Sequence, residues 1–137
     1  VKIIEKTFKS RLSVFIARRN IFSPRQVGFI QVWSTWSALV DLQNRIRLEK
    51  VSGELPALVT LDIAKAYDSV IHSTLISRLV DCEVPKYIIS WVQEFIFERQ
   101  FFCCHGGITS ASYKQTRGVP QRSVLSLLLF NILLSSI

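Results

Sequence analysis

The stretch Ala57-Leu58-Val59-Thr60-Leu61-Asp62 limits what this chain can fold into more than any other. An apolar, partly β-branched run that closes on one carboxylate predicts a buried strand with Asp62 at its C-terminal edge. The chain then passes at once into a segment, Ile63 to Val70, whose spacing is helical. Open α/β sheets keep their ligand sites at such strand ends. A rigidly held aspartate suits a hard divalent cation such as Mg²⁺, which takes oxygen ligands while keeping water or phosphate oxygens in its remaining positions. Ile63 can offer its backbone carbonyl beside that carboxylate, and the amides of Ala64 to Ala66 begin a turn able to face a triphosphate. The same spacing also fits Asp62 as the cap of the following helix, so spacing leaves a metal ligand and a helix cap both open.

A second long string resolves the first. Leu61-Asp62-Ile63-Ala64-Lys65-Ala66-Tyr67-Asp68-Ser69-Val70, with His72 just after it, resembles the first catalytic palm motif of reverse transcriptases of the non-LTR retrotransposon type. Gly118-Val119-Pro120-Gln121-Arg122-Ser123-Val124-Leu125-Ser126, leading to Leu128-Leu129-Phe130-Asn131, resembles the next motif of that family, in the right order. Gln26-Val27-Gly28-Phe29, followed by Ser34-Thr35, is similar to the family's Gln-x-Gly-Phe-Arg segment, with Ile30 where the arginine is expected.

The resemblance implies an α+β fold, the fingers and palm portion of such a polymerase, with helices packed on a small, mostly antiparallel palm sheet. Residues 1–55 would be a fingers-like helical segment and residues 56–137 a partial palm. It implies RNA-directed DNA synthesis, in which two metal ions about 4 Å apart activate a primer hydroxyl and steady the departing pyrophosphate. The partners would be an RNA template, a DNA primer and a dNTP, with Mg²⁺ as cofactor. Asp62 would be the catalytic carboxylate and a metal ligand, with the Ile63 carbonyl beside it. Lys65 and Ala66 would face the triphosphate through backbone, Tyr67 would pack under the sugar, and Gln121 would contact the incoming nucleotide.

The same resemblance shows what is missing. The family's further carboxylates come from a downstream aromatic-x-Asp-Asp hairpin, and no Asp-Asp pair occurs in this sequence. Asp68, at helical spacing, points away from the Asp62 side chain and is read as structural. Arg122 stands where the family has glycine and Leu127 where it has proline. With Ile30, these departures suggest a degenerate copy that is inactive by itself. The alternative is a non-enzymatic nucleic-acid-binding or assembly domain on a vestigial palm scaffold.

Composition enters on the question of partners and place. The 137 residues carry 17 Lys and Arg against 10 Asp and Glu, a net charge of +7, which favours polyanions through counterion release. Cys82, Cys103 and Cys104 lack the spacing of a zinc site and read as reduced thiols of an intracellular protein, the nucleus among the candidate locations. Lys2, Glu5, Lys6 and Lys9 interrupt any secretory core. The apolar run from Val124 to Ile137 is shorter than the roughly 20 residues of a membrane span. Without a methionine, and ending inside that run, the chain reads as a piece of something longer.

Elsewhere the pattern is mainly helical. Ile4, Phe8, Leu12, Phe15 and Ile16 predict an amphipathic helix from Val1 to Arg19 with a basic face. Ser34 or Thr35 can cap a helix to about Lys50, with Leu39, Leu42 and Ile46 on one face. Ile71 to Cys82, capped by Ser73, and a helix opened by Pro85 and running toward Arg99 follow. Trp91 and its phenylalanine neighbours read as core. Phe101 to Thr109 predicts a strand reaching a Gly106-Gly107 hairpin, with Ser112 to Thr116 returning and His105 structural at the turn. Ser123 begins an apolar helix.

Overall fold

The computed structural model describes residues 2–28, 30 and 34–135. Phe29, within the Gln-x-Gly-Phe-like segment, and the ends of the predicted first and last helices, Val1 and Ser136-Ile137, lie outside the described residues. The fold is α+β, with α-helices and small antiparallel strand pairs in the order α1 (Lys2–Arg19), α2 (Thr35–Val51), α3 (His72–Asp81), α4 (Lys86–Ile96), β1 (Gln100–Phe101), β2 (Cys104–His105), β3 (Ile108–Thr109), β4 (Tyr113–Lys114) and α5 (Ser126–Leu134). The chain forms two compact units, one made of Val1–Phe22 with Lys65–Ile137, the other of Ser23–Ala64.

The first unit holds the hydrophobic core. Leu12 and Ile16 of α1, Leu75 and Leu79 of α3, Ile88, Val92 and Ile96 of α4, and Leu129 and Ile132 of α5 are buried together with Val70, Val119 and Leu125. In each helix these residues recur three or four positions apart, so one stripe faces inward. α3 sits in the middle, packing on both α4 and α5. Trp91, Phe8 and Phe95 are half-buried against this core as a stack, with ring centroids 4.2 Å apart for Phe8 and Trp91 and 5.2 Å for Trp91 and Phe95. They are packing residues, as the pattern predicts.

The α1 stripe differs from expectation at its start. Ile4 is exposed and Glu5 is buried, because the Glu5 carboxylate accepts a 2.7 Å hydrogen bond from Ser123 Oγ. A buried carboxylate needs such a partner. Pro85 precedes α4 as its N-cap residue, which suits a proline since the first amides of a helix have no partner within it. α3 has no side-chain cap: Ile71 is its N-cap residue, and the predicted capping by Ser73 is absent because Ser73 already lies inside the helix. Helix α5 starts at Ser126 rather than Ser123; Ser123 is committed instead to Glu5 and to the Leu125 amide.

The predicted hairpin turns at Gly106 and Gly107, where Cys104 pairs with Thr109 and His105 with Ile108. Its return is broken. The outer pair, Gln100 with Lys114 and Phe101 with Tyr113, forms a separate two-stranded ladder. Cys103 donates its amide to Ser110 Oγ between them, so a side chain takes the place of a ladder acceptor.

In the Ser23–Ala64 unit, α2 is capped as expected: Ser34 is the N-cap and its hydroxyl accepts from the Ser37 amide at 3.1 Å. Among the described residues of this unit none is buried. Leu42 and Ile46 line an open groove with Pro56, Ala57 and Leu58. The buried strand predicted over Ala57 to Asp62 does not form. That segment has no regular secondary structure and is exposed, Leu61 at 92%. A strand is stable only when its amides and carbonyls are paired by neighbours, and among the described residues nothing forms a ladder with this one.

Candidate nucleotide site

The residues singled out by the motifs fall on both units. Asp62 and Ile63 end the Ser23–Ala64 unit. Asp62 is exposed and its carboxylate makes no ion pair or hydrogen bond among the described residues. The capping role for Asp62 falls away, since the next helix opens only at His72. Among the described residues no group of three or more His, Cys, Asp or Glu side chains is placed to hold a metal ion.

The other residues build a compact arrangement in the core-bearing unit. After Ala64 the chain turns rather than continuing as a helix: the amides of Asp68 and Ser69 both donate to the Lys65 carbonyl, at 2.8 and 2.9 Å. Lys65 adopts φ +51°, in the left-handed region. Lys65 is exposed, while Ala66 and Tyr67 are half-buried. The Tyr67 ring leans on Phe130 of α5, with centroids 5.4 Å apart.

The second motif lies directly on this turn. Gly118 donates its amide to the Val70 carbonyl at 2.7 Å, and Val119 donates to the Tyr67 carbonyl at 2.9 Å. His72 closes the contact from the side: its buried Nε2 lies 2.7 Å from the Gly118 carbonyl oxygen. A carbonyl only accepts, so Nε2 carries the proton. The edge of the imidazole meets Phe97, with centroids 5.2 Å apart.

Gly118 is required by this approach. Its φ is +87°, and a Cβ there would lie 3.0 Å from Asp68 Cα and 3.1 Å from the carbonyl oxygens of Tyr67 and Asp68. No side chain fits.

Beyond Gly118 the turn is braced residue by residue. Ser126 Oγ donates to the Pro120 carbonyl at 2.7 Å. Gln121 Nε2 lies 3.0 Å from Asp68 Oδ1 and 3.2 Å from Oδ2, donating to that carboxylate. Arg122 adopts φ +65°, a conformation natural to glycine and costly for arginine. Ser123 then anchors on Glu5.

Sequence reading singled out Lys65, Ala66, Tyr67 and Gln121, and the structure places them on these facing turns. It did not single out Glu5, whose partner is remote in sequence, and it read Asp68 as structural. The signal for Glu5 is its spacing of seven from Leu12, which puts a carboxylate on the buried stripe of α1.

Comparison with known proteins decides the family. Residues 1–137 match the family described as "Reverse transcriptase (RNA-dependent DNA polymerase)". The chain belongs to this reverse transcriptase family.

Two curated relatives agree. The chain is 29% identical over 132 residues to the "Probable RNA-directed DNA polymerase from transposon BS" of Drosophila melanogaster, a match that covers 96% of the chain and 14% of that protein. It is 27% identical over 103 residues to the "Retrovirus-related Pol polyprotein from type-1 retrotransposable element R2" of Popillia japonica, covering 75% of the chain and 17% of that polyprotein. This reverse transcriptase segment therefore spans less than a fifth of either relative. No solved structure gives a significant match. No described helix is long and apolar enough to cross a membrane.

Proposed function

We propose that this chain contributes fingers and palm elements to an RNA-directed DNA polymerase of retrotransposon origin, acting on an RNA template, a DNA primer and a dNTP. The observation that carries the reading is the contact of its two motif turns, in which Gly118 and Val119 sit on Tyr67 to Val70. That contact puts Gln121 beside the segment that follows Asp62 in sequence. Tyr67 is the candidate for packing under the sugar, Gln121 for contacting the incoming nucleotide, and the backbone of Lys65 and Ala66 for facing its phosphates. The net charge of +7 supports a polyanionic partner, and an intracellular, nuclear setting accords with such templates.

The donor set does not fit a pair of Mg²⁺ ions. Asp62 would supply one carboxylate and Ile63 one carbonyl, whereas two hard cations that shed water reluctantly need more oxygen ligands. By itself the chain is inactive. The test appends an Asp-Asp hairpin segment, then introduces Arg122→Gly, then Ile30→Arg, with primer extension on an RNA template measured at each step. Extension should be absent from the parent, small after the appended segment, and clearest after Arg122→Gly. Extension by the unmodified chain that Asp62→Ala abolishes would refute its inactivity, and no extension at any step would refute the polymerase reading.

A further inference from the structure

We infer that Asp68 is a positioning residue for Gln121: its carboxylate holds the carboxamide by the nitrogen and so determines which end of that group a nucleotide meets. The inference rests on the nucleotide-site reading of Gln121 and adds to it a residue that the motif alone leaves as structural.

A glutamine side chain is long, rotamer-rich and two-ended, donor at Nε2 and acceptor at Oε1. Left free on the surface, Gln121 would present either end. In the structure Nε2 lies within hydrogen-bond distance of both Asp68 oxygens, at 3.0 and 3.2 Å. A carboxylate accepts and does not donate, so only the nitrogen end of the amide can face it, and a hydrogen bond to a charged acceptor is stronger than one between neutral groups. The Oε1 end is then the one turned from Asp68, an acceptor for a ligand hydroxyl or amine.

Asp68 is itself fixed. Its amide donates to the Lys65 carbonyl at 2.8 Å, and its Cα lies so close to Gly118 that a Cβ there would approach to 3.0 Å. Both ends of the clasp therefore sit on backbone locked together at Gly118 and Val119. The pair is exposed, so its loss should change the side chain's orientation far more than the stability of the fold.

The experiment uses the ¹⁵N-labelled chain. The Gln121 side-chain amide is identified by its disappearance in Gln121→Ala. In Asp68→Ala its exchange with solvent should quicken several-fold and its resonance move toward that of a free glutamine, while the backbone amides of Gly118 and Val119 stay protected. Asp68→Asn, which keeps one acceptor oxygen, should restore part of the protection. Titration with Mg·dTTP should show several-fold weaker binding in Asp68→Ala than in the parent, at an unchanged unfolding temperature. A Gln121 amide that ignores Asp68→Ala overturns the inference, as does a loss of dTTP binding that only follows a loss of folding. If the parent binds no dTTP while Asp68→Ala still frees the amide, the holding of Gln121 stands and the nucleotide-site reading falls.

Discussion

The turn that carries Gln121 and the stretch that carries Asp62 are both motif segments, yet their surroundings are opposite. Gly118 to Ser123 is fastened by hydrogen bonds to Val70, Tyr67, His72, Asp68 and Glu5; it contains buried Val119 and leads to buried Leu125. Ala57 to Asp62 is exposed and has no ladder partner among the described residues. The difference is one of where polar backbone finds its partners. A turn can be satisfied by side chains brought to it from several elements, whereas a strand needs another strand along its whole edge.

The comparison is broken most directly by truncating one apolar residue on each side. Leu129→Ala, at a fully buried position of α5, should cost about 3 kcal/mol in denaturant unfolding. Leu61→Ala, in the exposed stretch, should stay within about 0.5 kcal/mol. Similar losses at the two positions would show that Ala57 to Asp62 is packed in solution.

Gly118→Ala should rank close behind. The left-handed conformation and the contact with Asp68 backbone together should cost about 2–3 kcal/mol, read from the same unfolding curves. Leu129→Ala leaves the turn contact in place, so only Gly118→Ala should also expose the Val119 amide to rapid exchange.

His72→Ala sharpens the account of the turn. It leaves the buried Gly118 carbonyl without its side-chain donor, at a cost of about 1–3 kcal/mol. His72→Gln, which keeps a donor on a flexible stem, should recover part of that. Arg122→Gly acts in the opposite direction: releasing a non-glycine residue from φ +65° should raise stability by about 1 kcal/mol. An unchanged midpoint would mean that the arginine side chain makes compensating contacts.

The helices were legible because their information is local. α2 announces itself by Ser34 at its start and α4 by Pro85, and the apolar spacing of α3 and α4 includes their buried Leu75, Leu79, Ile88, Ile89, Val92 and Ile96, although Val80 in the same spacing is exposed. The Gly106-Gly107 turn is equally local. Two features were not legible, for one physical reason. An apolar, partly β-branched run at Ala57 to Leu61 indicates only that a strand could form, since β propensity expresses fit to neighbours. The burial of Glu5 likewise depends on Ser123, which no window of α1 contains. At the candidate site, the motifs singled out Gln121 but not its hydrogen bonds to Asp68. Helical spacing placed Asp68 on a helix, and the segment is a turn.

The smallest expected effect concerns the thiols. Burial pushes the Cys82 thiol up from its ordinary value, against the lowering influence of Arg78, so less of it is the reactive thiolate at neutral pH. Cys103 and Cys104 are exposed. Brief treatment with iodoacetamide should label both before Cys82, as read by peptide mass. Early labelling of Cys82 would show that the α3 end opens readily.

The bond from Ser123 to Glu5 joins residues 118 apart in sequence. A ribosome adding ~5–20 residues per second takes on the order of ten seconds to make that interval. During that time α1 exists with a carboxylate on its apolar stripe and nothing to receive it, so the helix has reason not to dock early. Ser123 arrives with the same turn that carries Gln121. The first helix and the turn that carries Gln121 are therefore completed by one late event, and a nascent chain halted between them would hold α1 unsettled.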